Sequence, residues 1–196
     1  MAPTLDACRP EKMMNLARFV ALVAIPLGVQ AKAPDCATIA ADADGAPTAW
    51  RENLAMHNCV RRNAKPAADP PLAPLRWSAE IARNAERHAR QCVWAHSHTQ
   101  GLGENIHASA PWSAAQTEAA IDWAAEARDY DYATNACAKG ATCGHYTQMV
   151  ARSSGEVGCG IADCNTGSPF GPRLPQWTFV VCNYRPPGNY VGQRPW

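Results

Sequence analysis

Several common signatures are missing from this sequence, and each absence removes a reading. No CxxC pair occurs, so a zinc ribbon lacks its usual half-sites. There is no HExxH helix of the zincin type and no GxSxG elbow to raise a serine nucleophile. No Asn-x-Ser/Thr sequon is present, so nothing points to N-glycosylation. No apolar run reaches the roughly 18 residues that would span a bilayer. The formal charge of +1 is too small to argue for a nucleic-acid partner or a polybasic membrane anchor. What remains is an ordinary globular composition, 47% hydrophobic and 18% charged, over 196 residues. That length suits one domain with a sizeable core.

The first thirty-odd residues read as a targeting segment rather than as part of the fold. Lys12 and Arg18 supply a positive n-region, residues 19–29 (FVALVAIPLGV) an apolar h-region, and Ala31 and Ala33 the small residues of a cleavage site. Residues 1–33 are therefore expected to leave, and 34–47 to form a loose leader ahead of a domain over 48–196. Cutting after Ala31 removes three basic and two acidic side chains, which takes the charge from +1 to 0. Of the nine cysteines, Cys8 departs with the presequence. The remaining eight are Cys36, Cys59, Cys92, Cys137, Cys143, Cys159, Cys164 and Cys182. An even set in an exported chain predicts disulfides and an extracellular location, or a periplasmic one in a bacterium.

Along the domain, residues 48–62 show helical spacing of Trp50, Leu54, His57 or Asn58, and Arg61, with Thr48 as a candidate N-cap. Residues 63–74 hold four prolines and must be a loop. Ser78 can cap a second helix whose apolar stripe is Ile81, Ala85, Ala89 and Cys92, and on which His88 reads as solvated. A glycine-punctuated loop over 96–105 and a short strand at 105–109 follow. Ser113 with Gln116 spells a capping box for a third helix running to about Arg128, and 145–151 predicts a short fourth. Residues 156–164 and 176–184 have the alternation and the branched or aromatic content of strands. Helices first and strands last, in one domain, indicate an α+β layered fold.

Motifs in this order resemble the CAP superfamily: cysteine-rich secretory proteins, antigen 5 and pathogenesis-related group 1 proteins, also called the SCP domain. The resemblance covers residues 50–196 and is carried by HNCVRR, LRWSAEIARNAERHARQC, HSH with GEN, WAAEARDYDYATNAC, GHYTQMVARSS and FVVCNYRPPGNY. It lies close to the plant pathogenesis-related group 1 and bacterial branches. One departure is Ala151, where the family usually carries Trp after GHYTQMV; the missing indole leaves a gap unless a neighbour fills it. The resemblance implies a three-layer α–β–α sandwich with a central antiparallel sheet, stapled by disulfides. It also implies the pairs Cys92–Cys164, Cys137–Cys143 and Cys159–Cys182, and leaves Cys36 and Cys59 to join the leader to the first helix.

The same resemblance carries two His and two Glu in an open cleft, matched here by His96, Glu104, Glu126 and His145. Imidazole and carboxylate both suit Zn²⁺, so a divalent ion can be accommodated there, although no cofactor is required. His98 and His107 flank the same loop, while His57 reads as structural. The implied function is that of a secreted, non-enzymatic binding module for a sterol, fatty acid or other amphipathic ligand, active in defence or host interaction. Two alternatives stand beside it. One is a metal-dependent hydrolase using the four side chains. The other is a precursor cut after Arg185 to release residues 186–196 as a signalling peptide.

Overall fold

The computed structural model describes residue 43, residues 45–113 and residues 115–196, which fall in one compact unit. The expected presequence, most of the leader and Cys36 lie outside the described residues. A 3-10 turn, Thr48–Trp50, leads into helix α1, Arg51–Arg62. Thr48 does not cap it, because Trp50 holds the N-cap position and no side chain bonds the first turn. Strand β1 is Arg76–Trp77 and helix α2 is Ala79–Ala89, capped by Ser78, whose hydroxyl accepts from the Ile81 amide. Strand β2, Gly103–Ser109, precedes helix α3, Gln116–Ala125, and a 3-10 turn, Glu126–Asp129. Strands β3, Tyr130–Asp131, and β4, Ala136–Cys137, form a small hairpin. Helix α4, Gly144–Met149, and the long strands β5, Glu156–Cys164, and β6, Trp177–Arg185, complete the order.

The expected capping box at Ser113 does not form, and α3 starts three residues later. The Ser113 amide donates instead to Thr178 Oγ1 at 3.0 Å, and its hydroxyl pairs with that of Ser109 at 2.8 Å. Strand contacts thus take the groups a cap would need. The last turn of the expected third helix tightens into the 3-10 segment, a frequent way for helices to end.

Four strands form the main sheet in the order β1-β5-β6-β2. β5 and β6 run antiparallel from Glu156↔Arg185 to Cys164↔Trp177, and β2 is antiparallel to β6 from Gly103↔Tyr184 to Ser109↔Thr178. The sheet is not antiparallel throughout: β1 joins β5 in parallel through Arg76↔Glu156 and Trp77↔Val157. Two residues are too few for a period-2 pattern to announce such a strand.

β6 is buried on both faces, which is why it reads as a nearly unbroken apolar run. Its Val180, Cys182 and Tyr184 pack with α1, α3 and α4, whereas Phe179 and Val181 pack with Ala85 and Ala89 of α2. This is the three-layer sandwich, and alternation along one strand divides the two cores. α2 sits unusually close to the sheet over Gly158 and Gly160 of β5. A Cβ at Gly158 would lie 2.3 Å from the Ala82 nitrogen, and one at Gly160 would lie 2.2 Å from the Glu86 Cα. The absence of side chains there sets the depth of the helix layer.

Disulfides Cys92–Cys164, Cys137–Cys143 and Cys159–Cys182 are all present. Each stabilises by about 2–4 kcal/mol through restriction of the unfolded chain. Cys59 is fully buried and disulfide-bonded. Ala151 is buried, and the backbone of the C-terminal tail closes directly over it: a Cβ at Gly188 would lie 2.5 Å from that of Ala151.

Replacing Gly160 with Ala is expected to lower stability by about 1–3 kcal/mol, the usual penalty for overpacking. Gly155→Ala, at a position with open space for a Cβ, is the control and should change little. Urea-unfolding midpoints of the two variants check this.

Candidate functional site

α1 supplies scaffold to the site rather than chemistry. His57 is fully buried; its Nδ1 lies 2.8 Å from the Asn53 carbonyl and its Nε2 2.7 Å from the Tyr184 hydroxyl. In the neutral ring these partners assign the proton to Nδ1, so the Tyr184 hydroxyl donates to Nε2. Asn105 of β2 then donates with one hydrogen to the Tyr184 oxygen and with the other to the His145 carbonyl, both at 3.0 Å. The next residue of α1 after His57, Asn58, exchanges two hydrogen bonds with Leu75 and so fixes the approach to β1. Arg61 is 2% exposed and donates to the carbonyls of Ala73, Met149, Ala151 and Ser154. Burial, with the charge of Arg152 next in effect and Tyr184 opposing, lowers its pKa to about 10, so it remains charged at neutral pH.

Glu126 stands where α3 gives way to its 3-10 turn, and there it meets the first turn of α4. Its carboxylate accepts from the amides of His145 and Tyr146 at 3.0 and 3.1 Å, and from His145 Nδ1 at 2.6 Å. The His145 ring stacks on Trp123, centroids 5.9 Å apart. His145 is thus held through its ring nitrogen, its amide, its carbonyl and its ring face.

His96 and Glu104 form a second pair. His96 Nδ1 is 2.9 Å from Glu104 Oε1, which also accepts from the Ser97 amide at 2.8 Å. Glu104 Oε2 accepts from the Ser97 hydroxyl at 2.5 Å and from Asn183 at 3.1 Å, and Asn84 of α2 donates to Asn183. Burial alone would raise the Glu104 pKa. The hydrogen bonds from Ser97, then Asn183 and His96, outweigh that, and the carboxyl sits below its ordinary value.

The four expected residues therefore come together two by two. Alternation along β2 explains the division: Glu104 turns toward Asn183 and α2, while Asn105 turns to the opposite face and reaches His145. Among the described residues, no three His, Cys, Asp or Glu side chains group as a metal shell. His98 is exposed, with its ring 6.4 Å from that of His96. His107 joins neither pair; its Nδ1 is 3.5 Å from Asp122, and its Nε2 is buried without a hydrogen-bond partner. Burial lowers its pKa, against the opposing pull of Asp122 and Glu118. His88 is not solvated: it is 7% exposed, reaches the Ala95 carbonyl at 2.8 Å and meets Phe179 edge-on.

Two cavities lie near these residues. One of about 290 Å³ borders α2 and includes His96, Ser97 and Thr99 in its lining, but none of Glu104, Glu126 or His145. The other, about 700 Å³, runs between α4 and the C-terminal tail. Sequence reasoning missed Asn84, Asn105, Asn183 and Tyr184 as positioning groups. Three of them lie inside GEN and CNY, which carry the resemblance, but a motif does not say what its asparagines hold.

A family model, "CAP: Cysteine-rich secretory protein family", matches residues 54–184. Pathogenesis-related leaf protein 4 of Solanum lycopersicum is 39% identical over 150 residues, covering 74% of this chain and 82% of that protein. Among solved structures, Schistosoma mansoni venom allergen-like protein 4 superposes with a TM-score of 0.60 at 25% identity, over 77% of this chain and 95% of that one. NaASP2, solved with Zn²⁺, gives 0.58 at 25% identity, over 78% of this chain and 87% of that one.

The His57 relay has a pH signature. Burial, against the favourable Asn53 bond and with a smaller unfavourable effect of Arg61, lowers the His57 pKa from 6.5 to about 4. Protonation would give Nε2 a hydrogen and force the Tyr184 hydroxyl to reverse. Between these pH values the unfolded chain binds more protons than the folded one. The stabilisation is therefore complete above about pH 6.5 and is lost as pH falls toward 4, on the order of 3 kcal/mol in all. NMR titration should find the His57 ring neutral in the folded protein at pH 5, and His57→Gln should flatten the pH dependence of the urea midpoint from 6.5 to 5.

Proposed function

This chain belongs to the CAP family of cysteine-rich secretory proteins, and on that footing we propose that it is an exported, non-enzymatic binding protein for an amphipathic small molecule, acting in defence or host interaction. One observation carries the reading: the chemically active side chains are engaged with one another while a cleft of about 700 Å³ stands open beside α4. That volume lies within the range of small-molecule sites, roughly 300–1,000 Å³. The pathogenesis-related relatives support the defence role, and the disulfides support an oxidising destination.

The hydrolase reading is weaker on geometry. Ser97 donates its hydroxyl to Glu104 and lies 3.0 Å from Thr99 Oγ1, so no imidazole is paired with it as a base. NaASP2 solved with Zn²⁺ keeps a divalent ion as a second reading of the His96, Glu104, Glu126 and His145 set. As placed, these four form two pairs rather than one ligand set, and no step of this function runs through a metal.

The peptide-precursor reading competes with the packing of the tail. Ser154 and Ser153 hold the Pro186 and Pro187 carbonyls at 2.8 and 2.9 Å, and Gly188 donates to Gln148. Arg194 donates to the Tyr132 and Ala133 carbonyls, and the Tyr132 hydroxyl donates to the Trp196 carbonyl. A segment tied this way is read as a strap.

Titration of the folded protein with palmitate and with cholesterol, followed by native mass spectrometry, is expected to give micromolar binding of at least one. Flat titrations against both would reject the binding function. Intact-mass analysis of secreted material should retain residues 186–196; their loss would favour the precursor instead.

A further inference from the structure

The C-terminal strap crosses from α4 to the β3–β4 hairpin and is tied to each by a different half. On the α4 side Gly188 donates its amide to Gln148 Oε1 at 3.0 Å, and Asn189 donates to the Gly144 carbonyl at 2.8 Å. On the hairpin side Arg194 donates to the Tyr132 and Ala133 carbonyls at 2.9 and 2.6 Å, with its guanidinium over the Tyr132 ring. Asn135 donates to the Gln193 carbonyl at 3.2 Å, and the Trp196 ring stacks on that of Tyr132, centroids 4.5 Å apart. Both halves therefore need the hairpin and α4 at one fixed separation. The disulfide Cys137–Cys143 sets it: Cys137 ends β4, Cys143 holds the N-cap position of α4, and both line the cleft beneath the strap.

This bridge is also the one a reductant can reach. Among the described disulfide-bonded cysteines only Cys137 is exposed; Cys92 is half-buried and the others are buried. Cys137 and Cys143 are 6 residues apart in sequence, against 23 for Cys159–Cys182 and 72 for Cys92–Cys164. A short ring restricts the unfolded chain least, so opening it costs the fold least. α4 has a second anchor, because Glu126, ahead of the hairpin, accepts from the His145 and Tyr146 amides. The hairpin is held more lightly. Its ladder is two residue pairs, the Ala138 amide donates to the Asp129 carbonyl, and Tyr130 meets the Tyr146 ring at 6.0 Å.

We propose that Cys137–Cys143 is a reducible latch on the strap. A dithiol reductant attacks Cys137 Sγ as its thiolate; the disulfide bond breaks, and Cys143 leaves as a thiolate that takes up a proton. The second thiol of the reductant then displaces Cys137, which leaves as a thiol, and closes the reductant's own disulfide. Two electrons pass from the dithiol to the protein bridge. The freed hairpin draws away from α4 and takes residues 193–196 with it, so one wall of the cleft opens while α4 and the sheet stay in place. The latch acts whatever the cleft binds, and it stands apart from the function proposed above.

The first test exposes the native protein to graded dithiothreitol, alkylates the thiols that appear and maps them by peptide mass spectrometry. Cys137 and Cys143 should be labelled at dithiothreitol concentrations at least about tenfold below those that open Cys92–Cys164 and Cys159–Cys182. Earlier opening of either of those bridges, or opening of all three together, would overturn the proposal. The second test reads amide hydrogen exchange in a Cys137→Ser, Cys143→Ser double variant, which stands for the open latch. The Arg152 amide, which donates to the Pro195 carbonyl at 2.6 Å, reports the docked strap. It should exchange at least about tenfold faster than in wild type, while the His145 and Tyr146 amides keep their protection. An unchanged Arg152 amide, or equal loosening at His145 and Tyr146, would reduce the bridge to a structural staple. If the double variant does not fold, the same amides are read in wild type at the lowest dithiothreitol concentration that opens the bridge. Loss of protection throughout α2 at that concentration would overturn the latch as well.

Discussion

One buried hydroxyl, that of Tyr184, joins the parts of this molecule that chemistry would use. It donates to His57 on α1 and accepts from Asn105 on β2, and Asn105 in turn holds the carbonyl of His145 on α4. Helix, inner strand, edge strand and site are thus connected through polar groups that have no water to fall back on. Leaving any one of them unpartnered costs about 1–3 kcal/mol, so each group constrains the next. His57 stays neutral because burial penalises its charge, and neutrality is what lets Nε2 accept from the hydroxyl. The histidine that looks most like a catalytic residue by its burial and hydrogen bonds is therefore a structural one.

The sheet governs what the site can be. Because α2 rests on Gly158 and Gly160 and the other helices pack on the opposite face, adjacent residues of β2 serve different layers. Glu104 joins His96, Ser97 and Asn183 on the α2 side; Asn105 supports His145 and, beyond it, Glu126 and Trp123 on the other. Two oriented His–Glu pairs result. Both acids also accept backbone amides, which makes each pair a clamp on its own loop as well as a polar surface. The larger of the two cavities described lies elsewhere, under the strap.

Much of the fold was legible in the sequence, for local reasons. β5 was readable to its ends because its alternation spans nine residues, and the α2 stripe because small and branched apolar residues recur every turn. The family resemblance supplied the three disulfides seen here; it named His96, Glu104, Glu126 and His145 as the walls of one cleft, not as the two separate pairs they form. What escaped was decided by partners distant in sequence. β1 exists because β5 lies beside it, and Ser113 bonds to Thr178 instead of starting a helix. His88 is buried because the segment after α2 folds back to offer the Ala95 carbonyl. Nor does any local pattern show that a glycine thirty-seven residues downstream would close over Ala151.

If the Tyr184 relay is what fixes the site, removing only that oxygen should loosen α4 selectively. Tyr184→Phe keeps the ring in the core and leaves His57 Nε2 and one Asn105 hydrogen unsatisfied. Amide hydrogen exchange read residue by residue is the direct measurement. The His145 and Tyr146 amides, which donate to Glu126, are expected to exchange at least about tenfold faster, while the amides of α2 change no more than global stability requires. Equal protection of His145 and Tyr146 in the variant and the wild type would contradict the account.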